Sequence, residues 1–145
     1  MKKIIIVLLL VVLAGGGWYV YRMLTGRNPD LAHTEAAYSL SVNELLAAFN
    51  KDSALAGKQY TGQVLLIQGH VTRIDTAGVI SLGQAGEMSS VECTMDKRHR
   101  AALQHIKEGQ SLSVKGRCTG YKSESMLDVN LGTTVEMNFC LPVIK

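Results

Sequence analysis

Eleven residues, Val64 to Ile74 (VLLIQGHVTRI), read as one long β-strand with a glycine at its centre. The run is rich in β-branched residues, and Gly69 stands where a strand of this length needs a bulge or a sharp bend to curl. Shorter strands follow. Val79 to Leu82 comes after an Ala77-Gly78 turn, and Ser90 to Met95 alternates Val91, Cys93 and Met95 with Glu92 and Thr94. Leu112, Val114, Gly116 and Cys118 alternate with Ser113, Lys115 and Arg117 as a fourth strand. Gly116 and Gly120 permit a kink and a turn at its end, and a tight hairpin over about 120–127 leads to a fifth strand near Met126. That strand turns Leu127, Val129 and Leu131 inward, then resumes after Gly132 with Val135, Met137, Phe139 and Leu141 inward.

Two helical signals frame these strands. Ser41-Val42-Asn43-Glu44 has the pattern of a capping box, and Val42, Leu45, Leu46 and Phe49 fall at i, i+3, i+4 and i+7, so one stripe is buried. A second helical turn is expected from Asp52 to Tyr60, closed by Thr61-Gly62. Between the third and fourth strands, Asp96 caps a short helix through His105, with Ala102, Leu103 and Ile106 inward. Three strands, a short helix and two more strands is the order of an oligonucleotide/oligosaccharide-binding (OB) barrel. The expected fold is therefore mainly β: a five-stranded OB-fold barrel with a preceding amphipathic helix, a short helix between strands 3 and 4, and an N-terminal transmembrane helix.

That last element comes from Ile4 to Leu24, an apolar run with no charge before Arg22. As a helix it is long enough for a hydrocarbon core of about 30 Å. Lys2 and Lys3 put its start in the cytoplasm by the positive-inside bias, which Arg22 and Arg27 weaken. Trp18, Tyr19 and Tyr21 have the look of an interfacial aromatic belt, favouring an uncleaved anchor over residues 1–27. The rival is a cleaved secretory signal, since Ile4 to Leu13 has signal length and Val12-Leu13-Ala14 ends in a small residue. Neither reading is a lipid anchor, because the first 27 residues hold no cysteine. Residues 28–35 read as a linker and 36–145 as the barrel domain. The expected location is the inner membrane, single-pass, with the domain periplasmic, or secreted if the signal is cleaved.

Charge narrows the partners. The 145-residue chain carries +3, but Lys2, Lys3, Arg22 and Arg27 lie in the anchor, leaving 11 basic against 12 acidic residues, or −1. A global phosphate-binding footprint is thus absent. Locally, Lys97, Arg98, Arg100, Lys107, Lys115, Arg117 and Lys122 face only Glu108 and Glu124 between residues 97 and 124. From these, Lys97, Arg98, Arg100, Lys115 and Arg117 form a candidate basic ligand-binding face, the alternatives being a solvated surface or contact with anionic headgroups. Residues 79 to 95 hold no Phe, Tyr or Trp, and OB domains that bind single strands stack bases on aromatics there.

Catalytic chemistry finds no motif. His70, His99 and His105 lie within reach of Asp75 or Asp96 only in principle, with no nucleophile motif, carboxylate pair or phosphate loop. Cys93, His99 and His105 lack metal-ligand spacing, and Gly83-Gln84-Ala85-Gly86 reads as a loop. No cofactor or metal is expected, and the chain is read as a non-enzyme.

The leading helix SVNELLAAFN, then KQYTGQVLLIQGHVTRID, VECTM, IKEGQSLSVKGRCTGY and the terminal Cys140 segment together resemble exported bacterial proteins of the tRNA-anti-like OB-fold family. The resemblance covers about three quarters of the chain. It departs where LGTTVEMNF separates the start of the fifth strand from the last cysteine. It implies a fold more firmly than a function, since the family is named for similarity to anticodon-binding barrels. Strand alternation puts Cys118 inward, as a small buried residue or half of a disulfide, and export makes a disulfide among Cys93, Cys118 and Cys140 feasible. Cys118 with Cys140 is the favoured pair, because both lie on the last two strands; three free buried thiols is the alternative. Two functions stay open: a tethered module holding an envelope protein, glycan or other component, or a single-strand nucleic-acid binder.

Overall fold

A computed structural model describes residues 15–19, 21, 30–126 and 129–143, with side chains placed for these except 124–126 and 129–131. The expected transmembrane run falls mostly outside the described residues. Its described part, residues 15–19 and 21, is helical and exposed, and among the described residues no helix is long and apolar enough to cross a membrane.

Six strands form the sheet: β1 (Tyr38–Ser41), β2 (Val64–Ile74), β3 (Val79–Gly83), β4 (Ser90–Met95), β5 (Ser111–Met126) and β6 (Val129–Pro142). The long strand β2 does the closing. Residues Val64 to His70 pair with β5, and His70 to Ile74 pair antiparallel with β3. The sheet then runs β3, β4, β6, β5 and returns to β2, a closed five-stranded OB barrel. Strand β1 was not expected from the sequence. It lies parallel beside Leu65 to Gln68, and its four residues carry too little alternation to announce themselves.

The curl has a different origin from the one expected. The irregularity in β2 sits between Val71 and Arg73, not at Gly69. Gly69 instead answers a close approach: a Cβ there would collide with the side chain of Val42. Val42 opens helix α1 (Val42–Lys51), whose start is fixed as its sequence requires. The Ser41 amide donates to Glu44 Oε2 at 2.7 Å and the Glu44 amide donates to Ser41 Oγ at 3.2 Å, a reciprocal cap. Val42, Leu45, Leu46 and Phe49 are buried and close one end of the barrel. Helix α2 (Ser53–Tyr60) follows, capped by Asp52, and adds Ala56 and Tyr60 to the core. Phe49 then meets Tyr60 and Tyr121 with ring centroids 6.1 and 5.0 Å apart, tying both helices to β5.

The segment between β4 and β5 is a 3-10 helix, Lys97–His105, rather than an α-helix, with Asp96 as its cap. None of its own residues is buried; Leu103 leans on the core and Ile106 beyond its end is buried. With four cations and histidines in its first four residues it has little apolar surface to offer, so α1 plugs the barrel instead.

The last hairpin corrects the sequence reading most. No turn occurs at 120–126; β5 runs on to Met126 and β6 begins at Val129. A register shift between Cys118 and Gly120 absorbs the kink, so the strand continues and Cys118 opposes Met137. Further along β6, Lys115 opposes Leu141 while Arg117 opposes Asn138, and Cys93 opposes Met137 while Met95 opposes Cys140. Both neighbours thus see one extra residue in β6, a bulge at Phe139, whose φ is 56°. Phe139, expected inward, is half-buried, and Cys140 takes the inward place.

Candidate functional site

Two surfaces compete for the role of binding site. The first is the outer face of β3, β4 and β6, the surface on which many OB folds hold extended ligands. Its outward residues on β3 and β4 are Val79, Ser81, Ser90, Glu92 and Thr94. Ser81, Glu92 and Glu136 lie side by side across three strands. Lys122 on β5 pairs with Glu136, which together with Glu92 raises the lysine's pKa. The face therefore offers two carboxylates, one already matched, and β3 and β4 bring it no ring on which a base could stack.

The basic residues nominated from sequence do not gather into an open groove. Arg98 is bound to Asp96, its Nε donating at 3.0 Å to Oδ1, and this hydrogen bond holds the buried Asp96 carboxyl below the ordinary carboxylate range. Arg100 donates to the Ala77 carbonyl across the β2–β3 turn. Lys115 donates 3.0 Å bonds to the carbonyls of Ala32 and Thr34. Arg117 is half-buried on β5, with Nε enclosed and without a hydrogen-bond partner, and Lys97 alone is exposed with no bond or ion pair. Arg98, Arg100 and Lys115 staple the chain to itself. The segment read as a linker is one thing they staple: Leu31 in the 3-10 turn Leu31–His33 is 1% exposed, and Asp30 receives His99 Nε2 at 3.1 Å. The Ala32 amide, then His99, lowers the pKa of Asp30.

The other chemical candidates are also dispersed. Asp75 orders its own turn, receiving the Ala77 amide at 3.2 Å and the Thr76 hydroxyl, and its pKa is lowered in that order of cause. Cys93 is fully buried while His105 is exposed and His99 faces Asp30, so the three cannot share a metal ion; among the described residues no cluster of three metal-ligating side chains occurs. Cys118 and Cys140 are not joined. All three cysteines are unbonded and buried, Cys118 opposing Met137 on β6 and Cys140 opposing Met95 on β4, because the Phe139 bulge turns residue 140 inward. Burial first of all raises the pKa of Cys118.

The second surface was missed by sequence reasoning. A groove of about 990 Å³ opens where the start of α1, the Gly69 stretch of β2 and the β3–β4 loop converge. Ser41, Asn43, Gln68, His70, Gln84 and Ser90 line it, together with Glu87 from the same loop. A second hollow of about 600 Å³, sharing Asn43, Gln84, Glu87 and Ser89, continues it toward Gly132. Gly83-Gln84-Ala85-Gly86, read as a plain loop, forms one wall. The groove is polar without a cation, and the side chains of Asn43, Gln68, His70, Gln84 and Ser90 are not engaged in bonds elsewhere in the described protein. The only signal for it in the sequence is the run of small polar residues between Gly83 and Ser90.

A protein-family model described as tRNA_anti-like matches residues 1–130. The chain belongs to the tRNA_anti-like family. No curated protein matches it. Among solved structures, this tRNA_anti-like chain is similar to a protein of Klebsiella pneumoniae named as a nucleic acid-binding lipoprotein, at 16% identity and a TM-score of 0.53, over 73% of this chain and 91% of that one. It also matches an asparaginyl-tRNA synthetase of Entamoeba histolytica (12% identity, TM-score 0.37, 57% of this chain and 21% of that one). A third match is a Leishmania major protein named as an aspartyl-tRNA synthetase (10% identity, TM-score 0.43, 79% and 23%). At 16% identity the likeness to the Klebsiella protein is one of fold.

Proposed function

We propose that this tRNA_anti-like protein is a membrane-tethered, extracytoplasmic binding module without catalytic activity, holding an uncharged polar envelope component, protein or glycan, in the groove beside α1. The observation that carries this reading is the contrast in free chemistry. In the groove the side chains of Asn43, Gln68, Gln84 and Ser90 are uncommitted, whereas the barrel face bears Glu92 and Glu136, and Arg98, Arg100 and Lys115 are bound internally. Phosphate-tracking needs a cationic, accessible stripe, and stacking needs aromatics; β3 and β4 supply neither. The tether is supported by the apolar run Ile4 to Leu24 behind Lys2 and Lys3.

A second reading, single-strand nucleic-acid binding, is favoured by the name of the Klebsiella relative. Fluorescence anisotropy of labelled single-stranded oligonucleotides against the full chain in detergent decides between them. No binding is expected at 0.15 M salt. Micromolar or tighter binding that an Arg98→Glu, Arg100→Glu variant abolishes would replace the first reading with the second. A reporter fused after Lys145 tests the tether: activity outside the cytoplasm is expected, and activity inside would overturn that part.

A further inference from the structure

From the seating of the last strand, we propose that Cys93 and Cys140 are a disulfide pair, joined as β6 docks against β4, while Cys118 remains a free thiol. Three features of the fold bring these two cysteines onto one interior surface. The first is phase. With Val135 and Met137 inward, an unbroken strand would turn residue 140 to the outside. The extra residue at Phe139 reverses this and puts Cys140 inside, fully buried, like Cys93. That reversal uses a left-handed φ of 56° on a bulky aromatic residue, a conformation such side chains rarely adopt. The second is room. A Cβ at Gly116 would lie 2.5 Å from Cys140 Sγ, so the neighbouring strand carries a glycine where the thiol sits. The third is register: Cys140 lies opposite Met95, the next inward residue after Cys93 on β4, so the two cysteines are diagonal neighbours on adjacent strands, and the Cys93 thiol, ahead of burial, pushes the Cys140 thiol well above its ordinary range. Cys118 has no such neighbour; its thiol faces the Gly120 carbonyl at 4.0 Å.

The chemistry needs an external disulfide as oxidant, for which oxidised glutathione serves in vitro. A thiolate from one cysteine attacks a glutathione sulfur, releasing one glutathione thiol and leaving a mixed disulfide. The second cysteine's thiolate then displaces the other glutathione. One sulfur–sulfur bond forms between Cys93 and Cys140, one breaks in glutathione, and the two electrons and two protons end on two glutathione thiols. Both cysteines are sealed from solvent in the closed barrel, so the exchange belongs to folding, before β6 covers β4. In the folded state neither sulfur is open to attack.

The test is peptide mapping of the full chain, refolded in detergent with reduced and oxidised glutathione, then denatured and alkylated without reduction. Trypsin places the three cysteines in separate peptides, 74–97, 118–122 and 123–145. The expected result is one alkyl group, on 118–122, and a reducible link between 74–97 and 123–145. Three alkyl groups, or a link that includes 118–122, would overturn the proposal. Melting gives a second reading. Reductant should lower the midpoint by roughly 10 °C in the native chain and in Cys118→Ala. The same loss under reductant in Cys93→Ala would count against it, and the peptide map decides by itself if that variant does not fold.

Discussion

The outer face of β3, β4 and β6 and the groove beside α1 lie on one barrel, yet they differ in what is left unspent. On the face and its basic border, charge is consumed at home: Glu136 by Lys122, Arg98 by Asp96, Lys115 by the carbonyls of residues 32 and 34. In the groove, the polar groups of Asn43, Gln68, Gln84 and Ser90 are left open between two elements whose backbones are fixed for other reasons. Charge density in the sequence is therefore a poor guide to a site here. Availability after folding is the better one, since a paired surface cation contributes little to a ligand without first losing its partner.

The contrast can be broken most severely at Phe49. Its ring fixes α1 against Tyr60 and Tyr121, and α1 is one wall of the groove. Phe49→Ala should destabilise by about 3–5 kcal/mol, read from thermal or urea unfolding, and should abolish any groove binding. A cost below about 1 kcal/mol would mean that α1 does not plug the barrel.

Next comes Gly69→Val, which drives a branched side chain into Val42 at the groove floor. Overpacking of this kind should cost about 1–3 kcal/mol, with the start of α1 displaced. Amide chemical shifts of residues 41–45 should move while those of β4 and β6 stay. Unchanged stability would show that the groove is wider than the structure has it.

Ser41→Ala removes one half of the α1 cap and should cost about 1 kcal/mol. The same cap has a pH signature. The Ser41 amide, then its hydroxyl, lowers the Glu44 pKa, so the cap's full contribution is present above the unfolded value of about 4.3. It is lost as pH falls through the lower folded value. Melting midpoints below about pH 4.3 should fall less steeply in Ser41→Ala than in the native chain. Parallel curves would remove Glu44 from the account.

The smallest effect on stability belongs to the face. Glu92→Lys is exposed and should shift stability by no more than about 0.5 kcal/mol. It should nonetheless strengthen the weak, salt-sensitive oligonucleotide binding expected of the native chain at low ionic strength. Strong binding by the native chain that Glu92→Lys leaves unaltered would put nucleic acid on a different surface.

Local pattern alone determined much of the barrel. The limits of β2 and β4, the capping box of α1, the buried stripe Val42, Leu45, Leu46 and Phe49, and Asp96 as a cap were all legible, because each depends on residues within a turn or two of one another. Tertiary structure decided the rest. Whether Gly69 bends a strand or admits Val42 depends on a helix more than twenty residues away. Whether Arg98 and Lys115 meet a ligand depends on Asp96 and on carbonyls of a segment some eighty residues distant. The phase of β6 is the plainest case. Alternation puts Phe139 inside and Cys140 outside, and only the simultaneous pairing of β6 with β4 and β5 imposes the bulge that exchanges them. A period of two is a property of one strand, whereas a bulge is a compromise among three.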